Sequence, residues 1–101
     1  MSNITLLPPT NKHLDGALGL ARSKVEKNLP KYLEQVTKEL YRATEAYGPF
    51  NSPHEGYGII KEELDEFWDE VKTNNNPGAR KEIVQVAAMA LRYLLDSEHW
   101  S

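Results

Sequence analysis

Glu62-Glu63-Leu64-Asp65-Glu66-Phe67-Trp68-Asp69-Glu70-Val71, followed after a turn by Glu82-Ile83-Val84-Gln85, is the stretch on which the fold turns. Apolar residues within it recur at helical spacing, and acids three apart recur beside them. The segment from Glu55 to Lys72 carries seven acids against Lys61 and Lys72, a net −5 in a chain whose total is −3. The negative charge is therefore local. Carboxylates three apart on each of two packed helices can point into one shared space, which is how an all-helical protein assembles a cation site.

Working outward, the spacing predicts four helices and no strand. Leu14, Leu18, Ala21 and Val25 mark the first, and Leu29, Leu33, Val36, Leu40, Ala43 and Tyr47 the second. Asn28 and Pro30 supply a start signal between them, and Gly48-Pro49 ends the second, with Phe50 packing back on the core. Ser52-Pro53-His54-Glu55 reads as a capping box opening the third helix, whose apolar stripe is Tyr57, Ile60, Leu64, Phe67, Trp68 and Val71. Asn76 caps the fourth helix and Pro77 occupies its first position, with the helix running from Ala79 to Leu95. Its middle is apolar nearly all round, so more than one face needs cover, and self-association follows as an expectation.

At roughly 100° per residue the acids of the third helix divide. Glu62, Asp65 and Asp69 lie away from the stripe, whereas Glu63, Glu66 and Glu70 share one flank. Glu82, Gln85, Met89 and Arg92 form a comparable flank on the fourth helix. Antiparallel packing across the Asn74–Gly78 turn lets the flanks face one another. Gathered carboxylates repel, and either raise their pKa values or recruit a cation.

The whole chain of 101 residues reads as a single domain, residues 1–101, with residues 1–12 an extended lead-in. No apolar run reaches the roughly 20 residues that span a bilayer, so no membrane role is expected. The N-terminus lacks the pattern of a secretory signal. There is no cysteine, which excludes thiolate metal sites and fits a cytoplasmic location. A mildly acidic chain argues against nucleic acid as partner.

The paired patterns resemble those of the MazG-like all-α nucleotide pyrophosphohydrolases. That family carries Glu-Glu-x-x-Glu on one helix and Glu-x-x-Asp on the next. The first stands complete at Glu62-Glu63-Leu64-Asp65-Glu66, and the second as Glu82-Ile83-Val84-Gln85. The likeness runs from about Phe50 to Asp96, through His54-Glu55-Gly56-Tyr57 and Gln85-Val86-Ala87-Ala88-Met89-Ala90. It implies a four-helix fold packed as a bundle in a homo-oligomer, a dimer or tetramer. It also implies magnesium-dependent cleavage of a (deoxy)nucleoside triphosphate to the monophosphate and pyrophosphate, with one or two ions and manganese as a substitute. By motif position, Glu63, Glu66, Glu82 and Gln85 become metal ligands, with Glu62 also at a motif position although it projects away from the core. Glu66 or Glu70 is the candidate proton acceptor; Arg92 and Lys81, with Lys61 and Arg80 also close enough in sequence, are candidates for the substrate phosphates, Arg92 being the best placed. Gln85 departs from the family's aspartate and removes one negative charge. A non-catalytic helical module that binds nucleotide, or serves assembly, is the alternative.

Overall fold

In a computed structural model, which describes residues 16–100, the chain is all-helical with no strand among those residues. Three helices are present among the described residues: α1 (Ala17–Tyr47), α2 (Pro53–Lys72) and α3 (Asn76–Ser97). The expected lead-in and the first stripe residue, Leu14, lie outside the described residues. By contacts the chain divides into two compact units, Met1–Pro30 and Lys31–Ser101.

The first two expected helices are one helix of 31 residues with Pro30 inside it. Val25 joins Leu29 at an interval of four, so the apolar period continues across the proline. Proline lacks one backbone donor and normally disfavours a helix interior by about 3 kcal/mol. Leu18, Val25 and Leu33 of the stripe are 55%, 39% and 41% exposed, so its burial does not offset that penalty.

In the second unit, α2 and α3 pack against each other as an antiparallel pair. Gly56 meets Tyr93, Glu63 meets Gln85 and Glu70 meets Gly78, so rising numbers on one helix meet falling numbers on the other. Gly56 sets this contact. A Cβ there would stand 2.6 Å from Tyr93 Cδ2 and 3.3 Å from Phe50 Cδ2, so only glycine lets the ring lie against the backbone. Glu63 and Glu70 follow Gly56 at intervals of seven, and all three therefore face α3.

That orientation corrects the expected stripe on α2. Ile60 and Phe67 are half-buried as expected, but Tyr57, Leu64 and Trp68 are 66%, 48% and 57% exposed. The inward line runs instead through Gly56, Ile60, Glu63, Phe67 and Glu70. Bulky aromatic residues biased the expected centre, whereas the close approach is made where a side chain is missing.

The buried core is small: Ala43 from α1, Phe50, and Ala88 and Met89 from α3, with Val36, Leu40, Ile59, Ile60, Tyr93 and Trp100 against it. Gly48 ends α1 at φ 73°, a left-handed conformation natural to glycine. The loop then turns inward and is tied to α3 and the C-terminal segment. Phe50 N donates to Asp96 Oδ2 at 2.8 Å, and Trp100 Nε1 donates to Phe50 O at 3.2 Å. Trp100 also meets Tyr93 edge to face at 5.0 Å, which anchors the tail.

Ser52 caps α2, its Oγ accepting from Glu55 N at 3.1 Å. Glu55 does not complete the box, because its carboxylate accepts from Asn51 Nδ2 instead. The cap of α3 is Asn75 rather than Asn76, its Oδ1 accepting from Gly78 N at 3.2 Å. Three asparagines in a row offer equivalent caps to sequence reasoning. The choice falls to geometry: Asn74 takes φ 59° and Asn75 N donates to Glu70 O, closing the turn one residue early.

Leu91, Leu94 and Leu95 on α3, like Tyr57 and Trp68 on α2, remain exposed. No helix among the described residues is long and apolar enough to cross a membrane.

Candidate metal centre

The antiparallel register brings Glu63 and Glu66 of α2 opposite Glu82 of α3. One carboxylate oxygen from each lies within 4.8 Å of the others. Two oxygens on opposite sides of one magnesium stand about 4.2 Å apart, twice a bond of about 2.1 Å. Neighbouring oxygens on such an ion stand about 3 Å apart, so the three carboxylates would have to draw together to share one magnesium. Its donor set, all oxygen and all anionic, suits a hard divalent ion.

Gln85 sits between the helices on the same side. With the amide nitrogen turned toward the acids, it donates to Glu63 Oε2 at 2.7 Å and to Glu82 Oε2 at 3.2 Å. With the oxygen turned that way, the cluster gains a fourth oxygen in the same place. The two orientations correspond to two electrostatic conditions. The nitrogen suits acids facing one another, and the oxygen suits a cation between them.

Electrostatics agree with crowding. Glu63 is pushed up from 4.5 to about 7, first by burial and then by the charges of Glu66 and Glu82 beside it. Glu82 is raised in the same direction, by burial first and by Glu66 next, with Glu70 adding to the effect and Lys81 opposing it. Both carboxylates are held toward their protonated forms by burial first and by their acidic neighbours second, and either cause favours recruiting a cation.

The remaining candidates are placed as follows. Glu62 is exposed and outside the convergent set, in line with its expected outward projection. Glu70 faces α3 but is engaged at the turn, its Oε2 accepting from Asn75 Nδ2 at 2.5 Å and lying over Gly78. Lys81 is exposed next to Glu82. Arg92 is 3% exposed and holds the loop: its guanidinium donates to Gly48 O and lies 4.3 Å from the Phe50 ring. Its Nε is buried with no hydrogen-bond partner. The four residues Glu63, Glu66, Glu82 and Gln85 come together, while Glu62, Glu70 and Arg92 stand around them.

Helix α1 contributes residues that the motifs did not indicate. Glu39 is near enough to raise Glu63 further, and is itself paired with Arg42 at 2.5 Å. Arg80 on α3 donates to Tyr32 Oη at 2.7 Å. An i,i+3 Glu/Arg pair is common on any solvated helix, so no sequence signal set Glu39 and Arg42 apart; Arg80, a candidate from the sequence, is held by Tyr32.

Compared with family models, curated proteins and solved structures, the chain matches none.

Proposed function

We propose that the chain is a magnesium-dependent nucleotide pyrophosphohydrolase, cleaving a (deoxy)nucleoside triphosphate to the monophosphate and pyrophosphate. The observation that carries this reading is the convergence of Glu63, Glu66 and Glu82 from two antiparallel helices within 4.8 Å. The resemblance of their two patterns to the MazG-like family supplies the substrate class. Glu63, Glu66 and Glu82 would hold the ion, with the Gln85 amide oxygen as a neutral fourth ligand. A bound magnesium, or manganese in its place, supplies charge against the phosphate oxygens and acidifies a coordinated water.

The chain's own residues set the rest of the reaction. Water attacks the α-phosphorus in line, its oxygen forming the new P–O bond as the bond to the bridging oxygen breaks. Pyrophosphate leaves with that electron pair, and the proton of water passes to a carboxylate. Glu66, the exposed member of the cluster, is the acceptor best placed to meet solvent; Glu70 is tied to Asn75. Lys81 stands next to Glu82, which feels its charge, and would face the substrate phosphates from there. Arg92 acts from beneath, fixing the loop through Gly48 rather than reaching the phosphates. The exposed apolar residues of α2 and α3 fit a homo-oligomer, a dimer or tetramer of bundled helices.

A second reading rests on Gln85. An amide nitrogen donating to both Glu63 and Glu82 stabilises the cluster without an ion, as a non-catalytic nucleotide-binding or assembly module would require. Pyrophosphate release from a panel of canonical and modified nucleoside triphosphates separates the two. Turnover with magnesium that disappears in Glu63→Gln and Glu82→Gln supports the enzyme. No turnover on the panel, together with a melting temperature indifferent to magnesium, favours the module.

A further inference from the structure

Two cavities lie beside the acid cluster and meet along Glu39, Arg42 and Gln85, which line both. One, of 480 Å³, has apolar walls from Phe50, Ile59 and Met89, and its charges are mainly acidic. The other, of 930 Å³, is a cleft between α1 and the start of α3. Its charged lining is Lys38, Arg42, Arg80 and Lys81 against the single acid Glu39. A chain that is acidic overall thus keeps a cationic trough beside its most acidic group.

The cations of the trough are not equivalent. Lys38 is paired with Glu34 at 3.3 Å, and Arg42 with Glu39 at 2.5 Å. Arg80 and Lys81 have no carboxylate partner among the described residues. Arg80 is nevertheless held in place, by its hydrogen bond to Tyr32 Oη and by its position 5.6 Å from that ring. A fixed guanidinium and an ammonium without a carboxylate partner among the described residues stand on consecutive residues of α3 and present charged donors to an anion in the cleft.

We infer that this cleft seats the polyphosphate chain of the substrate, with Arg80 and Lys81 on its terminal phosphates and the nucleoside end directed into the apolar pocket beside Phe50 and Met89. The inference rests on the pyrophosphohydrolase reading and gives it a direction. The bond to be broken then lies at the junction, over Glu63, Glu82 and Gln85. Pyrophosphate departs along the trough, and Tyr32 is a positioning residue that acts through Arg80.

Isothermal titration of the full chain with inorganic tripolyphosphate in EDTA tests the cleft without needing turnover. The expected result is salt-sensitive binding, weakened roughly tenfold or more in Arg80→Ala and in Lys81→Ala and less in Tyr32→Phe, because charge-assisted contacts are lost. Glu82→Gln is expected to leave this binding intact or tighten it, by removing a negative charge. A nucleoside triphosphate is expected to bind more tightly than tripolyphosphate; equal affinity overturns the placement of the nucleoside. Absence of tripolyphosphate binding, or binding indifferent to both Arg80→Ala and Lys81→Ala, overturns the cleft. If those variants instead disperse an oligomer in sedimentation while binding is unchanged, the cleft belongs to a second copy and the inference fails. Cleft-dependent binding without hydrolysis of any triphosphate removes the enzyme reading alone, so the two failures are distinguishable.

Discussion

Raising the pH of a metal-free solution from 5 to 8 is expected to destabilise the protein through Glu63. Its folded pKa is pushed up from 4.5 to about 7, so the folded state holds this proton more tightly than the unfolded chain does. The sign follows: the contribution is fully present below about pH 4.5 and is lost as the pH rises through about 7. At about 1.4 kcal/mol per pKa unit the full shift corresponds to about 3 kcal/mol. The carboxyl is only half-buried, and solvent screening reduces this to about 1–2 kcal/mol. For a domain of this size that is a fall of roughly 5–15 °C in melting temperature. Glu82 acts in the same direction. The assay is thermal unfolding followed by circular dichroism across pH 5–8 in EDTA, for wild type and Glu63→Gln. The variant imitates the protonated acid and is expected to lose most of the slope. Adding magnesium is expected to raise the wild-type melting temperature more at pH 8 than at pH 5, because the ion binds the ionised cluster. A Glu63→Gln curve parallel to wild type would refute the crowding argument.

Other outcomes follow from the packing. Gly56→Ala, which drives a Cβ to 2.6 Å from Tyr93 Cδ2, is expected to cost about 1–3 kcal/mol in urea unfolding; an unchanged midpoint would show that the rings yield freely. Ser52→Ala removes the cap on Glu55 N and is expected to cost about 1 kcal/mol by the same measurement. Sedimentation of wild type at micromolar concentration is expected to show an assembly above the monomer, and Leu94→Asp, at a residue 64% exposed, to weaken it. A monomer at all concentrations would remove the oligomer from the proposal.

Much of the site was legible because it depends on short-range periodicity. Glu63, Glu66, Glu82 and Gln85 each follow from an interval of three on a helix, and the turn at Asn74–Gly78 forces the two helices back along each other. Phe50 was legible as an inward-packing residue for a similar reason, since a large apolar side chain beside a helix end has few other places to go. Rotation of α2 was not legible. It is decided by Gly56, whose significance lies in what Tyr93 and Phe50 do 37 and six residues away. Continuity of α1 through Pro30 was masked by a strong local rule, the cost of proline in a helix interior. Arg80 was a candidate from its place beside Lys81 and Glu82, but the contributions of Tyr32 and Glu39 depend on long-range packing, to which motif spacing is blind.

Divalent-ion binding to the purified chain decides whether the three convergent carboxylates form a metal centre. Titration with manganese followed by electron paramagnetic resonance, and competed with magnesium, reports it without reference to any substrate. Saturable binding that magnesium displaces, and that Glu63→Gln and Glu82→Gln each weaken at least about tenfold, is the expected result. No saturable binding by wild type, or equal binding by both variants, would contradict it.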